Sequence, residues 1–465
     1  MTTVILDGSS GTNTLSVQDG SNITSAIVIN FPNLTFDATG VSGTNDVTMS
    51  ASQNQLFTGT ITAVGTGANG EKITIISDGS ITTLTDVENY TVGDDSTNAR
   101  TITVSNASTN VTASSTTDAI TFSLGTLTYT GTVTGDNTVD DVLSLNTGAN
   151  VSGGTITNVE ALTLTPGALV TLSASQNQNF TGTVTAAGTG VSGEKITISG
   201  DGAVTALSNI ETYELGDDTT NARTLTTGSA ALNLIANNAT DTVTINATAL
   251  AQNTELTIAA ASASALIVTS LAGDMVASNL SGTLAVTTAN AADNGISITT
   301  GTAATSVNVA AGAASDTVSL NAAALINNIG LTITSGGAAA GTINVTNLVG
   351  DMTVSNPTSG TIGVTVTDNT VDDGIAIAAG ASNLAISGVA DGDTVTITGF
   401  TGTTLTGAIA NTTGKFNITT GTSTSSISTG AGDDTFTFVA GTGLTSADTV
   451  NGLSLIHISE PTRPY

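Results

Sequence analysis

The chain of 465 residues contains no cysteine and no tryptophan, and only 3% of its residues are aromatic. Without cysteine, disulfides and thiolate chemistry are excluded, and the shortage of aromatic rings argues against a sugar-stacking groove. Only 6 residues are basic against 36 acidic ones, so the formal net charge is −30. Nucleic acid and anionic membranes are bound through clustered lysine and arginine. We therefore expect neither as a partner.

Long apolar runs are missing as well, and no segment approaches 18 uninterrupted apolar residues, so we expect no helical membrane span. The first residues, MTTVILDGSS, lack the basic and hydrophobic regions of an ordinary signal peptide. We expect either a cytosolic protein or export by a route that reads a different signal.

The composition changes abruptly at Leu453, where the sequence becomes LSLIHISEPTRPY and includes the only histidine, His457. This stretch matches the translation of a transposase adapter used in preparing sequencing libraries. We interpret residues 453–465 as a non-native tail that packs against nothing specific. On this interpretation the natural gene is interrupted at about Gly452.

A long internal duplication organises the first half of the chain. Residues 50–106 return as 173–229 at an offset of 123, and 33 of 50 positions are identical between 51–100 and 174–223. We assign 1–228 to this first repeat region. A second region, 229–420, repeats at about 77 to 79 residues, since LAGDMVASN at Leu271 returns as LVGDMTVSN at Leu348.

Short segments of the form apolar-x-apolar recur about every ten residues from Leu232 onward, separated by Gly, Asn, Asp, Ala or Ser. Such alternation predicts β-strands of four or five residues, and we expect almost no helix. Short, evenly spaced strands favour an all-β solenoid, a parallel β-helix-like array with a thin core of small residues. Tandem β-sandwich domains are the alternative, which the 123-residue duplication keeps open for the first half.

An inventory of reactive groups argues against catalysis. Outside the tail the basic residues are Lys72, Arg100, Lys195, Arg223 and Lys415, and four of these are two copies of the same two positions. Repeated positions more often serve structure, such as a turn at Glu71 and Lys72, than a unique active site. We therefore expect no enzyme, although paired carboxylates such as Asp140 and Asp141 occur.

Aspartates precede several of the predicted strands, and one group matches a calcium-binding nonapeptide, G-G-x-G-x-D-x-U-x. Residues 429–437, TGAGDDTFT, depart from it only at Thr429. Glycines permit a tight turn and aspartate supplies hard oxygen ligands, so the pattern predicts calcium binding. The candidate ligand residues are Gly430, Gly432, Asp433 and Asp434, with Asp141, Asp316 and Asp393 as further candidates.

The terminal GAGDDTFTF, the phrase ITNVEALTLTPGALVTLSAS at 156–175 and its variants LTDVENYTV and LSNIETYEL are similar to RTX-type proteins. The resemblance is closest to bacterial surface-layer proteins exported by type I secretion. It implies an extracellular, calcium-dependent protein whose uncleaved C-terminal secretion signal would lie beyond Gly452, with 421–452 as a truncated calcium-binding segment.

The function expected from these observations is structural: a calcium-stabilised repeat protein of a bacterial surface layer that associates with itself or attaches to the cell surface. The alternative is an RTX-type adhesin stalk that binds a surface or a host or matrix partner. Adhesin stalks tend to carry near-identical tandem repeats. Two different repeat families, each present about twice, therefore favour the surface layer. Ice binding by outward Thr-x-Thr rows is disfavoured, because those rows are scattered.

Overall fold

Among the residues that the structure describes, 54% lie in strands and 3% in helices, and the described strands of this computed structural model stack in parallel as a β-solenoid of about 17 turns. It divides into two units, Met1–Tyr213 and Glu214–Tyr465. The structure describes residues 4–37, 39, 45–64, 70–93, 99–114, 119–137, 140–186, 193–216, 223–236, 242–261, 263–289, 295–310, 317–335, 342–355, 361–367, 374–390, 392–408, 414–421, 423–439, 445–452 and 456–459.

The elements of the first unit are short strands, interrupted by two short helices. They are β1 (Ile5–Asp7), β2 (Thr14–Gln18), β3 (Ser21–Asn22), β4 (Ile27–Ile29), β5 (Asn33–Asp37), β6 (Asn45–Met49), α1 (Ala51–Asn54), β7 (Ile61–Val64), β8 (Glu71–Ile75), β9 (Ile81–Thr82), β10 (Asn89–Gly93), β11 (Arg100–Thr103), β12 (Asn110–Ser114), β13 (Ile120–Gly125), β14 (Thr132–Thr134), β15 (Val142–Leu145), β16 (Thr155–Thr157), β17 (Ala161–Leu164), β18 (Leu169–Ser173), α2 (Ala174–Asn179), β19 (Val184–Ala186), β20 (Lys195–Ser199), β21 (Ala203–Thr205) and, at the boundary, β22 (Thr212–Leu215).

The described elements of the second unit are strands throughout. They are β23 (Arg223–Thr226), β24 (Leu232–Ala236), β25 (Thr242–Asn246), β26 (Glu255–Ala261), β27 (Ala265–Leu271), β28 (Asp274–Val276), β29 (Thr283–Thr288), β30 (Ile296–Thr299), β31 (Thr305–Val309), β32 (Thr317–Asn321), β33 (Leu331–Ser335), β34 (Thr342–Leu348), β35 (Met352–Ser355), β36 (Thr361–Val366), β37 (Ile375–Ala378), β38 (Asn383–Ser387), β39 (Thr394–Phe400), β40 (Thr404–Ala408), β41 (Lys415–Thr420), β42 (Ser426–Ser428), β43 (Asp434–Thr437), β44 (Thr449–Asn451) and β45 (Ile456–Ser459).

Strands pair with the next strand but one, so each coil contributes one strand to each of two sheets. In the first unit, β3, β6, β8, β10, β12, β14 and β16 form one sheet, and the odd strands β9 to β19 form another. In the second unit the even strands β24 to β44 and the odd strands β23 to β45 do the same. The described pairings are parallel, which confirms the solenoid and excludes antiparallel sandwiches for these strands.

Alternate residues of each strand point into a narrow core. In β13 and β15, for example, inward residues such as Phe122 and Leu143 are fully buried while Thr121 and Ser144 between them are not. The in-register pairing of Phe122 with Leu143 stacks like positions directly above one another. The strand alternation read from the sequence is therefore the core pattern, because side chains along a strand alternate between its two faces.

The repeated SASQNQ segment forms a short capped helix in each copy, a detail that the alternating pattern did not predict. In α1, Gln53 donates to the carbonyls of Ile23 (2.6 Å) and Ala26 (2.8 Å), and Asn54 donates to the carbonyl of Thr82 (2.9 Å). The hydroxyl of Tyr90 donates to Asn54 Oδ1 at 3.2 Å. These side chains satisfy backbone groups of neighbouring coils inside the core.

The same network is present in the second copy, 123 residues later. Gln176 donates to two carbonyls, Asn177 donates to Thr205, and the Tyr213 hydroxyl donates to Asn177 Oδ1 at 3.0 Å. Burial raises the pKa of both Tyr90 and Tyr213, so both phenols stay protonated and can donate. The duplication thus preserves a buried polar network as well as an apolar core.

Three phrases related to each other, TDVENYTV, TNVEALTL and SNIETYEL, make the same turn. Their second residues, Asp86, Asn158 and Asn209, have φ of 66°, 52° and 62°. Aspartate and asparagine tolerate this left-handed conformation better than most residues. Each turn is followed by a buried Val or Ile and then by a glutamate.

Two sequence expectations are wrong. Within the tail, Ile456–Ser459 is not free of contacts but forms β45, which pairs with β43 in the register Asp434–Ile456 to Thr437–Ser459. The physical reason is that the segment Ile-His-Ile alternates like a strand, and the open edge of a sheet offers unpaired backbone groups to such a segment. Glu71 and Lys72 likewise open strand β8 and do not form a turn.

Candidate functional sites: acidic strand starts and carboxylate pairs

The nonapeptide forms a tight connection between β42 and β43. Gly430 and Gly432 are buried, and a Cβ added at Gly432 would overlap the carbonyl oxygen of Gly414 on the neighbouring coil. Glycine is therefore required at 432 by close approach of two backbones. Asp433 is exposed while Asp434 is only 1% exposed, so the two carboxylates point to different environments.

Asp434 joins two coils. Its Oδ1 accepts the backbone N–H of Phe416 at 3.0 Å, and its own N–H donates to the carbonyl of Gly432 at 3.0 Å. Burial raises the pKa of Asp434, although the N–H of Phe416 acts in the opposite direction. The described geometry gives this side chain a structural role at the start of β41.

Asp141 likewise joins two coils in the first unit. Its two oxygens accept the backbone N–H groups of Ile120 at 2.7 Å and of Asp136 at 2.8 Å, and the residue is fully buried. Burial raises the pKa of Asp141 to about 6, and the nearby carboxylates of Asp136 and Glu160 act in the same direction. The sequence placed Asp141 before a strand, and the structure shows which backbone groups it satisfies.

The last two candidate calcium ligands are Asp393 and Asp316. Asp393 precedes β39 and is half-buried, and its backbone carbonyl accepts the N–H of Lys415 at 2.8 Å. Asp316 lies outside the described residues. Calcium binding by any of these residues stays a prediction.

Two aspartates that the sequence analysis did not single out also accept backbone N–H groups of a neighbouring coil. Asp274 accepts the N–H of Ser297 at 2.8 Å, and Asp351 accepts the N–H of Ala376 at 2.9 Å. Both lie in the GDM of the second repeat family, so the recurrence of that tripeptide was the available signal. An acidic side chain at a strand start that accepts a backbone N–H of a neighbouring coil is therefore a recurring feature of this fold.

The glutamates of the three related turns lie opposite another carboxylate one coil earlier. We call these the carboxylate pairs: Glu71 with Glu88, Asp141 with Glu160, and Glu194 with Glu211. Each of the first two pairs lies one residue before a register pair, Lys72 with Asn89 and Val142 with Ala161. In the duplicated pairs one Oε2 of the later glutamate accepts the N–H of the earlier one at 2.9 Å.

Like charges at these positions alter proton binding. Burial, a hydrogen bond to Glu88 and the Glu88 charge raise the pKa of Glu71 to about 7. Burial also acts to raise the pKa of Glu88, but hydrogen bonds from Glu71 outweigh it and the pKa is lowered. Burial raises the pKa of Glu211 beside Glu194. Each duplicated pair therefore favours a shared proton or another positive charge between its carboxylates.

Two basic residues of the first unit, Arg100 and Lys72, bind groups outside the carboxylate pairs. Arg100 is buried and donates to the backbone carbonyls of Ser77, at 3.1 Å, and Gly93. Lys72 forms a salt bridge of 2.9 Å with Asp46. These contacts give Arg100 and Lys72 structural roles in coil packing.

Within the part of the chain that the structure describes, no three His, Cys, Asp or Glu side chains are grouped so that they could hold a metal ion. The same part contains no helix whose length and apolar character would let it cross a membrane.

Fold and site together define a β-solenoid whose coils are joined by acidic side chains at strand starts. Comparison with protein-family models, curated proteins and solved structures finds no match to this chain.

Proposed function

We propose that this chain is an extracellular structural protein of a bacterial surface layer, that it assembles with copies of itself, and that calcium stabilises it. The observation that carries the proposal is the separation of neutral strand faces from acidic strand starts in the second unit. The role is architectural and not catalytic.

Two outward rows of the second unit, one on each sheet, consist of small uncharged residues. One row, in register across the even strands β32 to β40, consists of Ser319, Asn344, Gly363, Ala385 and Thr406. The matching row across the odd strands β31 to β39 consists of Ser306, Thr332, Thr353, Ala378 and Thr398. Rows of this kind can contact another copy without burying an unpaired charge, which would be costly.

The acidic residues lie at the starts of the strands, along the edge of each sheet. Every described acidic residue from Leu232 onward is the first residue of a strand or lies within one residue of it: Glu255, Asp274, Asp351, Asp393, Asp433, Asp434 and Asp448. A net charge of −30 repels neighbouring molecules unless cations neutralise it. Divalent cations bound along these edges would let charged edges of adjacent copies approach, which supports calcium as the stabilising ion.

Assembly is the test. Protein treated with a chelator and then dialysed into millimolar calcium is expected to form ordered sheets in negative-stain electron microscopy. Thr353→Glu places a charge in the neutral row and is expected to abolish sheets, whereas the uncharged control Thr353→Gln retains them. Protein that stays monomeric by analytical ultracentrifugation with and without calcium would contradict a lattice and favour the adhesin-stalk alternative.

A further inference from the structure

Three side chains on consecutive coils of the first unit lie in one row. Asn45 opens β6 and is paired in register with Glu71, which opens β8. Glu88 precedes β10 by one residue and bonds the N–H of Glu71 with its Oε2 at 2.9 Å. Asn45 and Glu71 hold inward positions of their strands, since Val47 and Ile73, two residues further on, are fully buried.

Asn45 is the unexplained member of this row. Its side chain is 1% exposed, and neither its Oδ1 nor its Nδ2 has a hydrogen-bond partner in the structure. Burying an amide without hydrogen-bond partners has a cost in folding free energy. A ligand that engages the amide oxygen would remove part of that cost.

No described cation neutralises the two carboxylates beside it. Lys72, the neighbouring basic residue, alternates to the opposite face of β8, where it bonds Asp46 at 2.9 Å. Thr74 bonds the other oxygen of Asp46 on that same face. The inward row therefore combines one free amide oxygen with two carboxyl groups and is open to a positive charge.

We propose that Asn45, Glu71 and Glu88 form a binding site for a hard divalent cation, which we call the Asn45 site. Carboxylate and amide oxygens are the ligands that calcium takes in proteins, with water completing six to eight positions. The site is separate from the nonapeptide turn and does not depend on assembly into a lattice.

The duplication provides an internal comparison. The second copy keeps Glu194 and Glu211 but has Ala168, which is buried, where the first copy has Asn45. There the N–H of Gly167 donates to Glu194 Oε1 at 3.2 Å, so one carboxylate oxygen is already engaged. The second copy therefore lacks the amide ligand, and we expect it to bind the cation at least tenfold more weakly.

The test is local hydrogen exchange of the full chain, with calcium chloride or with sodium chloride at equal ionic strength. Calcium is expected to slow exchange at least fivefold in peptides covering 70–76 and 86–92, and much less in the matched peptides 193–199 and 209–215.

The variants Asn45→Ala and Glu88→Gln are expected to remove the calcium-dependent slowing of exchange in the first copy. Glu211→Gln, the matched control, is expected to leave the calcium-dependent slowing in the first copy unchanged. Ala168 shows that alanine is accommodated at this position, and Glu88 is exposed, so both variants are expected to fold.

Three outcomes would overturn the proposal. They are no calcium-specific protection of 70–76 up to about 10 mM, well above the usual range for extracellular calcium sites; equal protection of both copies; and full protection retained in Glu88→Gln. None of these depends on whether sheets form, so failure of the site is distinguishable from failure of the lattice proposal.

Discussion

At the residue scale, buried carboxylates hold backbone N–H groups at strand starts. Asp141 and Asp434 lie in different units, yet each bonds the N–H of the register partner one coil earlier, Ile120 and Phe416. Hydrogen bonds to charged acceptors are stronger than neutral ones, but burial works against the charge. The balance makes these aspartates sensitive to pH.

The pH dependence of Asp141 has a definite sign. Burial raises its pKa in the folded protein to about 6, above the ordinary aspartate value of 3.8, so between these values the folded state binds more protons than the unfolded state. Its contribution to the free energy of unfolding therefore decreases as pH rises from about 4 to about 6 and is constant above. In urea titrations we expect Asp141→Asn to flatten this decrease. Asp140→Asn, at an exposed neighbour, is the control and is expected to parallel the wild type. An unchanged slope in Asp141→Asn would contradict the assignment.

At the element scale, the short helices α1 and α2 tie coils together through tyrosine. The hydroxyl of Tyr90 accepts the N–H of Leu84 at 2.8 Å while donating to Asn54, and Tyr213 does the same for Leu207 and Asn177. Both tyrosines are fully buried or nearly so. Loss of one hydroxyl leaves a buried donor and a buried acceptor without partners.

We therefore expect Tyr90→Phe to lower the free energy of unfolding by about 1–3 kcal/mol, the cost of unpaired buried polar groups. Tyr213→Phe is expected to lower it by a similar amount, since its contacts repeat those of Tyr90. Gln55→Ala, at an exposed position beside α1, is the control and is expected to change stability by less than about 0.5 kcal/mol. Chemical denaturation measures all three, and tyrosine variants as stable as the control would refute the network's contribution.

The strand β45 gives a second prediction at this scale. Removing residues 453–465 takes away the partner of β43 on one side. In a repeat array each coil interacts with its neighbours, so the effect is expected to stay local. Hydrogen exchange is expected to speed up in Asp434–Thr437 while Thr394–Phe400, two coils away, is unchanged. Unchanged exchange in both segments would show that β45 contributes no protection.

At the scale of the whole molecule, the net charge of −30 opposes compactness and makes cations stabilising. At about 10 mM calcium, a site with a dissociation constant of about 10⁻⁴–10⁻³ M adds about 1.4–2.7 kcal/mol. We expect the melting temperature to rise on calcium addition to chelator-treated protein. Asp434→Ala is expected to reduce the rise at the C-terminal end, with Asp433→Ala as the exposed comparison. If calorimetry detects no calcium binding up to about 10 mM, the acidic strand starts are structural only.

The sequence by itself determined the class of fold. Alternation in segments such as LNLIA at Leu232 and TVTIN at Thr242 specified strands whose bounds match β24 and β25, because the period of two is local to each strand. The 123-residue duplication places Asn177 and Tyr213 at the positions equivalent to Asn54 and Tyr90. Strand positions, which depend only on neighbours along the chain, could be predicted in this way.

Only the tertiary structure decided which acidic side chains meet. Asp433 and Asp434 are adjacent in sequence but differ in burial, while Glu71 and Glu88 come together from successive coils. The row containing Asn45 depends on the register between coils. Register between coils is fixed by packing of the whole core, so no local pattern could place Asn45 opposite Glu71.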